Sequence, residues 1–138
     1  MKIIICGSMS SAKKMVEIKQ QLNDMGHDVV LPKLTEEIVR GEHTAFSGKE
    51  STAEKIEYDL LREYYEIIKT GDAVLVVNLD KNGVEGYIGG NSFLEMGFAH
   101  VLGKTVYVYQ GIPDMPYTDE LRAMQPIELK GDVSKIAF

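Results

Sequence analysis

The residue in this chain whose type and setting point most directly to chemistry is Glu95, in the run GGNSFLEMGFAH that covers residues 89–100. If this run is a helix, the positions three, four and seven residues later share the face of Glu95, and all are apolar: Phe98, Ala99 and Leu102. The pattern therefore predicts an inward-facing carboxylate. A partly desolvated carboxylate beside a glycine-rich turn, at the opening end of a helix, is placed to act as a nucleophile or as a general acid or base.

The same stretch also has a purely structural interpretation. Ser92 and Glu95 have the spacing of a capping box, in which the Glu side chain returns to the N-cap amide of its own helix. Asn91 and Ser92 are cap-type residues that follow two glycines, and Gly103 is a stop signal. The sequence thus predicts a helix that begins near Asn91, and it leaves Glu95 open as either a cap or a catalytic group.

A second group of candidates lies at residues 7–11, where GSMSS joins an apolar run to a helical pattern. Backbone amides at a helix N-terminus together with three hydroxyls outline a phosphate cradle. The run lacks the Gly-Lys-Ser/Thr ending of a Walker loop and the G-x-G-x-x-G dinucleotide fingerprint. We expect Gly7, Ser8 and Ser10 to bind substrate, with Lys13 as a nearby cation. The alternative interpretation is a capped strand-to-helix turn with one of the serines as cap.

The elements that must position these groups alternate between strand and helix patterns. Strands are predicted at residues 2–6, 28–31, 73–78, 104–109 and 126–129, and helices at about 12–25, 52–69, 91–102 and 119–124. Such alternation indicates an α/β fold, with a parallel sheet of about five strands and helices on both faces. A chain of 138 residues with 44% hydrophobic content is long enough for one compact core, so we expect a single domain over residues 1–138.

In parallel sheets, ligands bind beyond the carboxyl ends of the strands, where the topology changes direction. The segments 7–8, 78–90 and 112–117 all follow predicted strands and meet this condition. Glycines in these turns permit close approach of a ligand to the backbone. We therefore add to the predicted substrate-binding residues Asn78, Gly89, Gly90, Asn91, Ser92 and Asp114.

One polar segment interrupts this pattern. Residues 35–52 have broken periodicity and two glycines, so we expect a mobile lid that holds a short helix. Within it, His43 is a candidate acid or phosphate contact on closure. An exposed loop histidine that takes no part in the chemistry is the simpler interpretation.

Bulk composition narrows the partners. A net charge of −6 argues against a nucleic acid polymer, since phosphate neutralisation needs a clustered basic surface. No apolar run approaches the roughly 18 residues that span a bilayer, and no leader pattern opens the chain, so we expect no membrane partner and a cytoplasmic location. The three histidines are scattered, and no metal site or cofactor is predicted. The single cysteine, Cys6, is expected to be a small buried hydrophobe in the first strand.

Three segments resemble the nucleoside 2-deoxyribosyltransferase-like family, which includes the deoxynucleoside 5′-monophosphate N-glycosidases. They are IIICGS at residues 3–8, DAVLVV at 72–77, and the helix start from Gly90 that contains Glu-x-Gly-x-Ala at 95–99. The family has a flavodoxin-like sheet and forms dimers or higher oligomers. The resemblance therefore implies that fold and a homodimer or larger assembly.

The resemblance also implies a reaction. Glu95 would be the nucleophile that attacks the anomeric carbon of a nucleoside and holds the sugar as a glycosyl ester. Water would then give hydrolysis, and a second base would give transfer. The opening Gly7 and Ser8 are similar to those of the monophosphate-binding glycosidases, which implies a nucleoside 5′-monophosphate as the small-molecule partner. Gly90 and Ser92 would line the site with Glu95.

The chain departs from the family pattern at the proton donor. The family carries a second catalytic Asp about eight residues before the Asp that opens the third strand, here Asp72, and that position holds Tyr64. Asp80, Glu63 and His43 are the alternative donors. Two other functions stay open: a non-catalytic nucleotide-binding module, and a glycosidase that acts on a dinucleotide beneath a lid at residues 35–52.

Overall fold

The computed structural model describes residues 1–42 and 59–137. These residues form five strands, β1 (Lys2–Cys6), β2 (Asp28–Val30), β3 (Ala73–Val76), β4 (Thr105–Val108) and β5 (Ile127–Glu128). Their α-helices are α1 (Ala12–Asp24), α2 (Thr35–Val39), α3 (Leu60–Lys69), α4 (Gly90–Val101) and α5 (Thr118–Ala123). Short 3-10 helices cover Met9–Ser11 and Val133–Lys135. The predicted order of elements is confirmed.

All five strands are parallel, in the order β2-β1-β3-β4-β5. This is the order of flavodoxin-like folds, so the predicted α/β class is confirmed. The chain first adds a strand on one side of β1 and then crosses to its other side, which makes the β1/β3 junction the switch point. Cys6 pairs with Val76, and Val76 pairs with Val108, so β1, β3 and β4 end at one edge of the sheet.

Side chains of β1 alternate between two cores, as a strand buried on both faces requires. Ile3 and Ile5 pack into the core that includes α1. Ile4 and Cys6 pack into the core that includes α3 and α4. The last side chain of β1 therefore lies on the same face of the sheet as the helix that carries Glu95.

The start of α4 differs from the prediction. The helix begins at Gly90 with Gly89 as the N-cap residue, and the Phe93 amide donates to the Gly89 carbonyl at 2.9 Å. Asn91 and Ser92 lie inside the first turn, so neither is the cap. Gly89 has extended backbone angles and supplies the cap geometry without a side chain. Gly103, at φ +75°, follows the helix as the predicted stop.

Helix α2 confirms a short helix in the segment from residue 35, and it is tied to α1 by Lys19 and Glu36, whose Nζ and Oε1 are 3.1 Å apart. The predicted lid from His43 onward lies outside the described residues. So does the part of the predicted long helix that precedes residue 59. Within the described part of the chain, no helix is both long and apolar enough to cross a membrane.

Candidate active site

A cleft of about 190 Å³ opens at the switch point between β1 and β3. Its walls come from the turn after β1, the segment after β3 and the start of α4. Four of the predicted substrate-binding residues meet there, namely Ser8, Ser10, Gly89 and Ser92. The hydroxyls of Ser8 and Ser10 are hydrogen-bonded at 2.6 Å. The structure thus joins groups that are about 80 residues apart in the sequence.

The cleft also contains groups that the sequence interpretation did not assign to it. Lys81 and Tyr87 line it, and the Lys81 ammonium lies 6.0 Å from the centre of the Tyr87 ring. Lys13, the predicted cation, is exposed and lines neither this cleft nor the second one described below. The loop of twelve residues between β3 and Gly89 has little periodicity, so its contribution to the cleft was visible only after the fold brought it beside β1.

Gly7 serves close packing. A Cβ at this position would lie 3.0 Å from the Met15 sulfur and 3.3 Å from the Val77 carbonyl oxygen. The missing side chain lets the turn after β1 lie directly against α1 and the end of β3. Gly7 therefore positions the serines of the cleft.

Glu95 lies one turn beyond Ser92 on α4 and is half-buried. Because the N-cap is Gly89, Glu95 is six residues from the cap and has no place in a capping box of its own helix. The structural interpretation of Glu95 as a helix cap is therefore wrong. Its neighbours on the same helix, Met96 and Ala99, are fully buried in the core of α3 and α4.

Cys6, at the carboxyl end of β1, lies close enough to Glu95 of α4 for the carboxylate charge to act on its thiol. Burial, and then the charge of Glu95, raise the pKa of the Cys6 thiol well above its ordinary value. Tyr64 of α3 lies in the same core and donates its hydroxyl to the Ile5 carbonyl. Burial raises the Tyr64 pKa, and Cys6 and Glu95 add to the shift. The thiol and the phenol therefore stay protonated beside the carboxylate.

Asn78 is buried, and its side-chain amide is bonded to the backbone of two loops. Its Nδ2 donates to the carbonyls of Gly86 at 3.0 Å and Gly111 at 2.8 Å, and its Oδ1 accepts from the Gln110 amide at 3.0 Å. These bonds join the loop after β3 to the loop after β4. In the structure Asn78 shapes the site through its loops and lines neither cleft.

A second, broader cleft of about 960 Å³ lies beyond the ends of β3, β4 and β5. Asp114, which is exposed, lines this cleft together with Lys14, Lys130 and Tyr109. Asp114 is thus in a different cleft from Ser8 and Ser92. Gly90 and Asn91 are exposed on the first turn of α4 and line neither cleft.

The alternative proton donors lie in different parts of the structure. Asp80 lines both clefts and accepts a hydrogen bond from the Gly86 amide at 2.9 Å. Glu63 is exposed on α3, with its Oε1 3.7 Å from Lys33 Nζ. Asp72 accepts from the Lys2 amide at 2.7 Å at the opposite edge of the sheet. Of the described candidates, Asp80 is the acid beside the cleft.

In the described residues, no group of three or more His, Cys, Asp or Glu side chains is arranged to hold a metal ion. Comparisons of the whole chain with protein-family models, with curated proteins and with solved structures find no match.

Proposed function

We propose that this protein cleaves or transfers the N-glycosidic bond of a nucleoside, a deoxynucleoside or a nucleoside 5′-monophosphate through a covalent glycosyl-Glu95 intermediate. The observation that carries the proposal is the setting of Glu95. It is a half-buried carboxylate, excluded from a capping role, one helical turn from a serine-lined cleft at the switch point of the sheet.

The reaction has two displacements. A carboxylate oxygen of Glu95 bonds to C1′ while the bond from C1′ to the base nitrogen breaks, and its electron pair leaves with the base, which takes a proton. Asp80 is the proposed source of that proton because it lines the cleft. Water then attacks the glycosyl ester and frees the sugar, or a nitrogen of a second base attacks and forms a new nucleoside. Either attack regenerates the carboxylate.

The proposed phosphate position is the turn after β1. Ser8 and Ser10 supply hydroxyls, and Lys81 supplies a cation on the facing wall. The cleft volume of about 190 Å³ is smaller than the 300 Å³ or more typical of sites that enclose a whole ligand. The base would therefore extend out of this cleft, past Leu79 and Asp80, which also line the second cleft.

We also propose a homodimer as the working assembly, with a small molecule as the partner of each site. Leu94 and Val101 are seven residues apart and therefore share one face of α4. Their exposed fractions are 46% and 85%. Apolar side chains exposed in line on one helix favour contact with another surface. Light scattering after size exclusion should give twice the monomer mass, and a monomer at working concentrations would refute this proposal.

The proposal is tested by incubating the protein with nucleosides, their 5′-monophosphates and dinucleotides, with and without a second free base, and by following base release chromatographically. Glu95→Gln and Glu95→Ala should lower turnover by about a thousandfold or more, because they remove the nucleophile. Glu120→Gln, at an exposed position on α5, is the matched control and should keep full activity. Activity retained in Glu95→Ala would overturn the mechanism.

A non-catalytic nucleotide-binding module is the second candidate function. The specific observation in its favour is Tyr64, which occupies the position of the family's second acid and is buried against the Ile5 carbonyl. Such a module would release no base from any compound, yet a nucleoside monophosphate would raise its melting temperature. Ser8→Ala with Ser10→Ala would abolish that stabilisation.

A further inference from the structure

The second cleft is much larger than the first, and beyond Leu79 and Asp80 none of its residues takes part in the proposed reaction. Its volume of about 960 Å³ lies near the upper end of the range of about 300–1,000 Å³ for sites that enclose a small-molecule ligand. Leu79 and Asp80 line both clefts, so the clefts meet at these residues. A ligand held in the first cleft can therefore continue into the second.

The two loops that form walls of the second cleft are fixed to each other. The Gly86 amide, in the loop after β3, donates to Asp80 at 2.9 Å, and the Gly86 carbonyl accepts from Asn78 at 3.0 Å. The same Asn78 amide group donates to the Gly111 carbonyl, in the loop after β4, at 2.8 Å. A Cβ at Gly86 would lie 3.3 Å from the Gly111 carbonyl oxygen, so the loops touch where a side chain would separate them. The cleft is thus preformed, which lowers the cost of binding a ligand.

An aromatic ring and two cations line this cleft from three different elements. Lys14 lies in the first turn of α1, Tyr109 directly follows β4, and Lys130 follows β5. The Lys14 ammonium is 5.7 Å from the centre of the half-buried Tyr109 ring. The Gly131 amide donates to the Tyr109 carbonyl at 2.7 Å, which holds the turn that carries Lys130 beside Tyr109. A cation over the ring means that this face of the ring is open to the cleft.

Both lysines can exchange their present partners for a phosphate. Lys14 Nζ is 3.6 Å from Glu17, and Lys130 Nζ is 3.6 Å from Glu128. All four side chains are at least one third exposed, and ion pairs of this kind contribute little free energy. A phosphate offers the ammonium groups shorter, charge-assisted hydrogen bonds.

The cleft also contains carboxylates, so a bare polyanion is not its best ligand. Three acidic side chains line it, namely Asp80, Glu85 and Asp114. Carboxylates in nucleotide sites accept hydrogen bonds from ribose hydroxyls. A nucleotide therefore matches every group in this cleft: its phosphate suits the lysines, its flat base suits the Tyr109 ring, and its hydroxyl and amino donors suit the carboxylates.

We propose that the second cleft binds a nucleotide unit, with its base on Tyr109 and its phosphate on Lys14 and Lys130, and that the ligand of this protein is a dinucleotide with one unit in each cleft. The base takes the place of the Lys14 ammonium over the ring, and the ammonium pairs with the phosphate. Linking the units makes the second binding event intramolecular, so a dinucleotide binds more tightly than a mononucleotide. Loss of the base from the unit in the first cleft rests on the proposed function, whereas binding across the two clefts does not.

The first test measures binding by NMR. Protein labelled with ¹⁵N and carrying Glu95→Gln, so that no ligand is consumed, is titrated with the 5′-phosphorylated dinucleotides pApA and pUpU and with the matching 5′-mononucleotides. A dinucleotide should shift the Gly89 amide of the first cleft and the Gly111 and Gly131 amides of the second, with a Kd at least about tenfold below that of its mononucleotide. Shifts confined to the first cleft, or equal Kd values, would overturn the proposal.

Charge removal tests the phosphate contacts. Lys14→Ala with Lys130→Ala should weaken dinucleotide binding by about tenfold or more and leave the mononucleotide shift at Gly89 in place. Lys69→Ala with Lys104→Ala is the matched control, since Lys69 ends α3 and Lys104 precedes β4, at the opposite edge of the sheet. The control should bind the dinucleotide as before. Equal weakening in the two double variants would mean that only net charge matters, and the proposed site would be rejected.

Ring removal tests the base contact. Tyr109→Leu should lower dinucleotide affinity by about tenfold, whereas Tyr109→Phe keeps the ring and should stay within about twofold of wild type. Wild-type affinity in Tyr109→Leu would refute stacking on the ring. The lysine variants keep the proposal testable if Tyr109→Leu does not fold.

Base release separates this proposal from the proposed function. Dinucleotide binding across both clefts, without base release by wild type from any compound, would uphold the second site and reject the glycosidase. Glu95-dependent base release from mononucleotides, with dinucleotide shifts confined to the first cleft, would reject the second site and leave the glycosidase intact. If both hold, Lys14→Ala with Lys130→Ala should raise KM for the dinucleotide by about tenfold and leave KM for the mononucleotide unchanged.

Discussion

The two faces of the sheet use adjacent residues of β1 for different purposes. On the α1 face, Ile5 packs with Ile18 and Leu22 in a core of chiefly aliphatic side chains. On the α3/α4 face, the next residue, Cys6, packs with Tyr64 beside the Glu95 carboxylate. At these positions of β1, one face contributes aliphatic packing, and the other adds polar groups near the edge where the clefts open.

This difference shows where buried polar side chains are tolerated in a core of this size. Buried polar groups cost free energy unless they are hydrogen-bonded, and here the Tyr64 phenol donates to the Ile5 backbone carbonyl. This hydrogen bond lies near the carboxyl end of β1, where the serine-lined cleft begins. On the α1 face, side chains away from this edge, such as Leu22 near the C-terminal end of α1, can then supply stability without constraining the site. Substitutions there and on the polar face should separate stability from chemistry.

The largest stability effect is expected from Leu22→Ala on the α1 face. Leu22 is fully buried, and its truncation should lower the free energy of unfolding by about 2–5 kcal/mol through lost transfer energy and a residual cavity. Urea unfolding measures the loss. Base release per folded molecule should be unchanged, and a fall in kcat as large as that of a Glu95 variant would show that the faces are not separate.

Asn78→Ala tests the junction between the loops that follow β3 and β4. It leaves two carbonyls and one amide of the backbone without their side-chain partner and should cost about 2–4 kcal/mol. Asn91→Ala, at an exposed position of α4, is the control and should stay within about 0.5 kcal/mol of wild type. Hydrogen exchange should show faster opening at Gly86 and Gln110; unaltered exchange there would mean that Asn78 does not hold the loops.

Tyr64→Phe probes the polar face with a smaller change. It removes the donor to the buried Ile5 carbonyl and should destabilise the protein by about 1–3 kcal/mol in thermal unfolding. Tyr65→Phe keeps the edge-on ring contact with Phe98 and is the matched control on the same helix. Equal stability of the two variants would argue that the Tyr64 hydroxyl makes no net contribution.

Much of the fold could be predicted from the sequence because its signals are local. The apolar runs that became β1 and β3 end at turn signals, and both were predicted within two residues of their observed ends. The start of α4 was predicted within one residue, but its N-cap was predicted wrongly, because cap rules score side chains whereas Gly89 forms the cap with its backbone. Side-chain patterns in the sequence do not indicate a cap that the backbone forms alone.

The site was less predictable because its assembly depends on strand order. Ser8 and Ser92 were each predicted to bind substrate, but their meeting in one cleft requires β1 and β3 to be neighbours. Asp114 was predicted for the same site because it follows β4. In the sheet β4 is separated from β1 by β3, and the loop after β4 lines the second cleft. Cys6 was predicted to be a small buried hydrophobe in the first strand, and this is confirmed. A lone cysteine in an apolar run gives no sign that a distant carboxylate lies near it.

The smallest effect is a change of stability with pH on the polar face. The Cys6 pKa is raised from its ordinary value of 9.0, so above that pH the unfolded chain loses a proton that the folded chain keeps. The contribution of Cys6 is therefore fully present below about pH 9 and is lost as pH rises, at about 1.4 kcal/mol per pH unit. Tyr64 adds the same dependence from its ordinary value of 10.0 upward.

Urea unfolding of wild type and Cys6→Val, repeated from about pH 8 to about pH 10, isolates this dependence because other titrating groups cancel in the difference. The free energy of unfolding of wild type should fall more steeply above about pH 9 than that of Cys6→Val. Leu22→Ala should be less stable throughout but parallel to wild type, since it changes packing and no titrating group. Parallel curves for wild type and Cys6→Val would mean that the thiol titrates alike in both states, and the two faces would then differ in composition without differing in electrostatics.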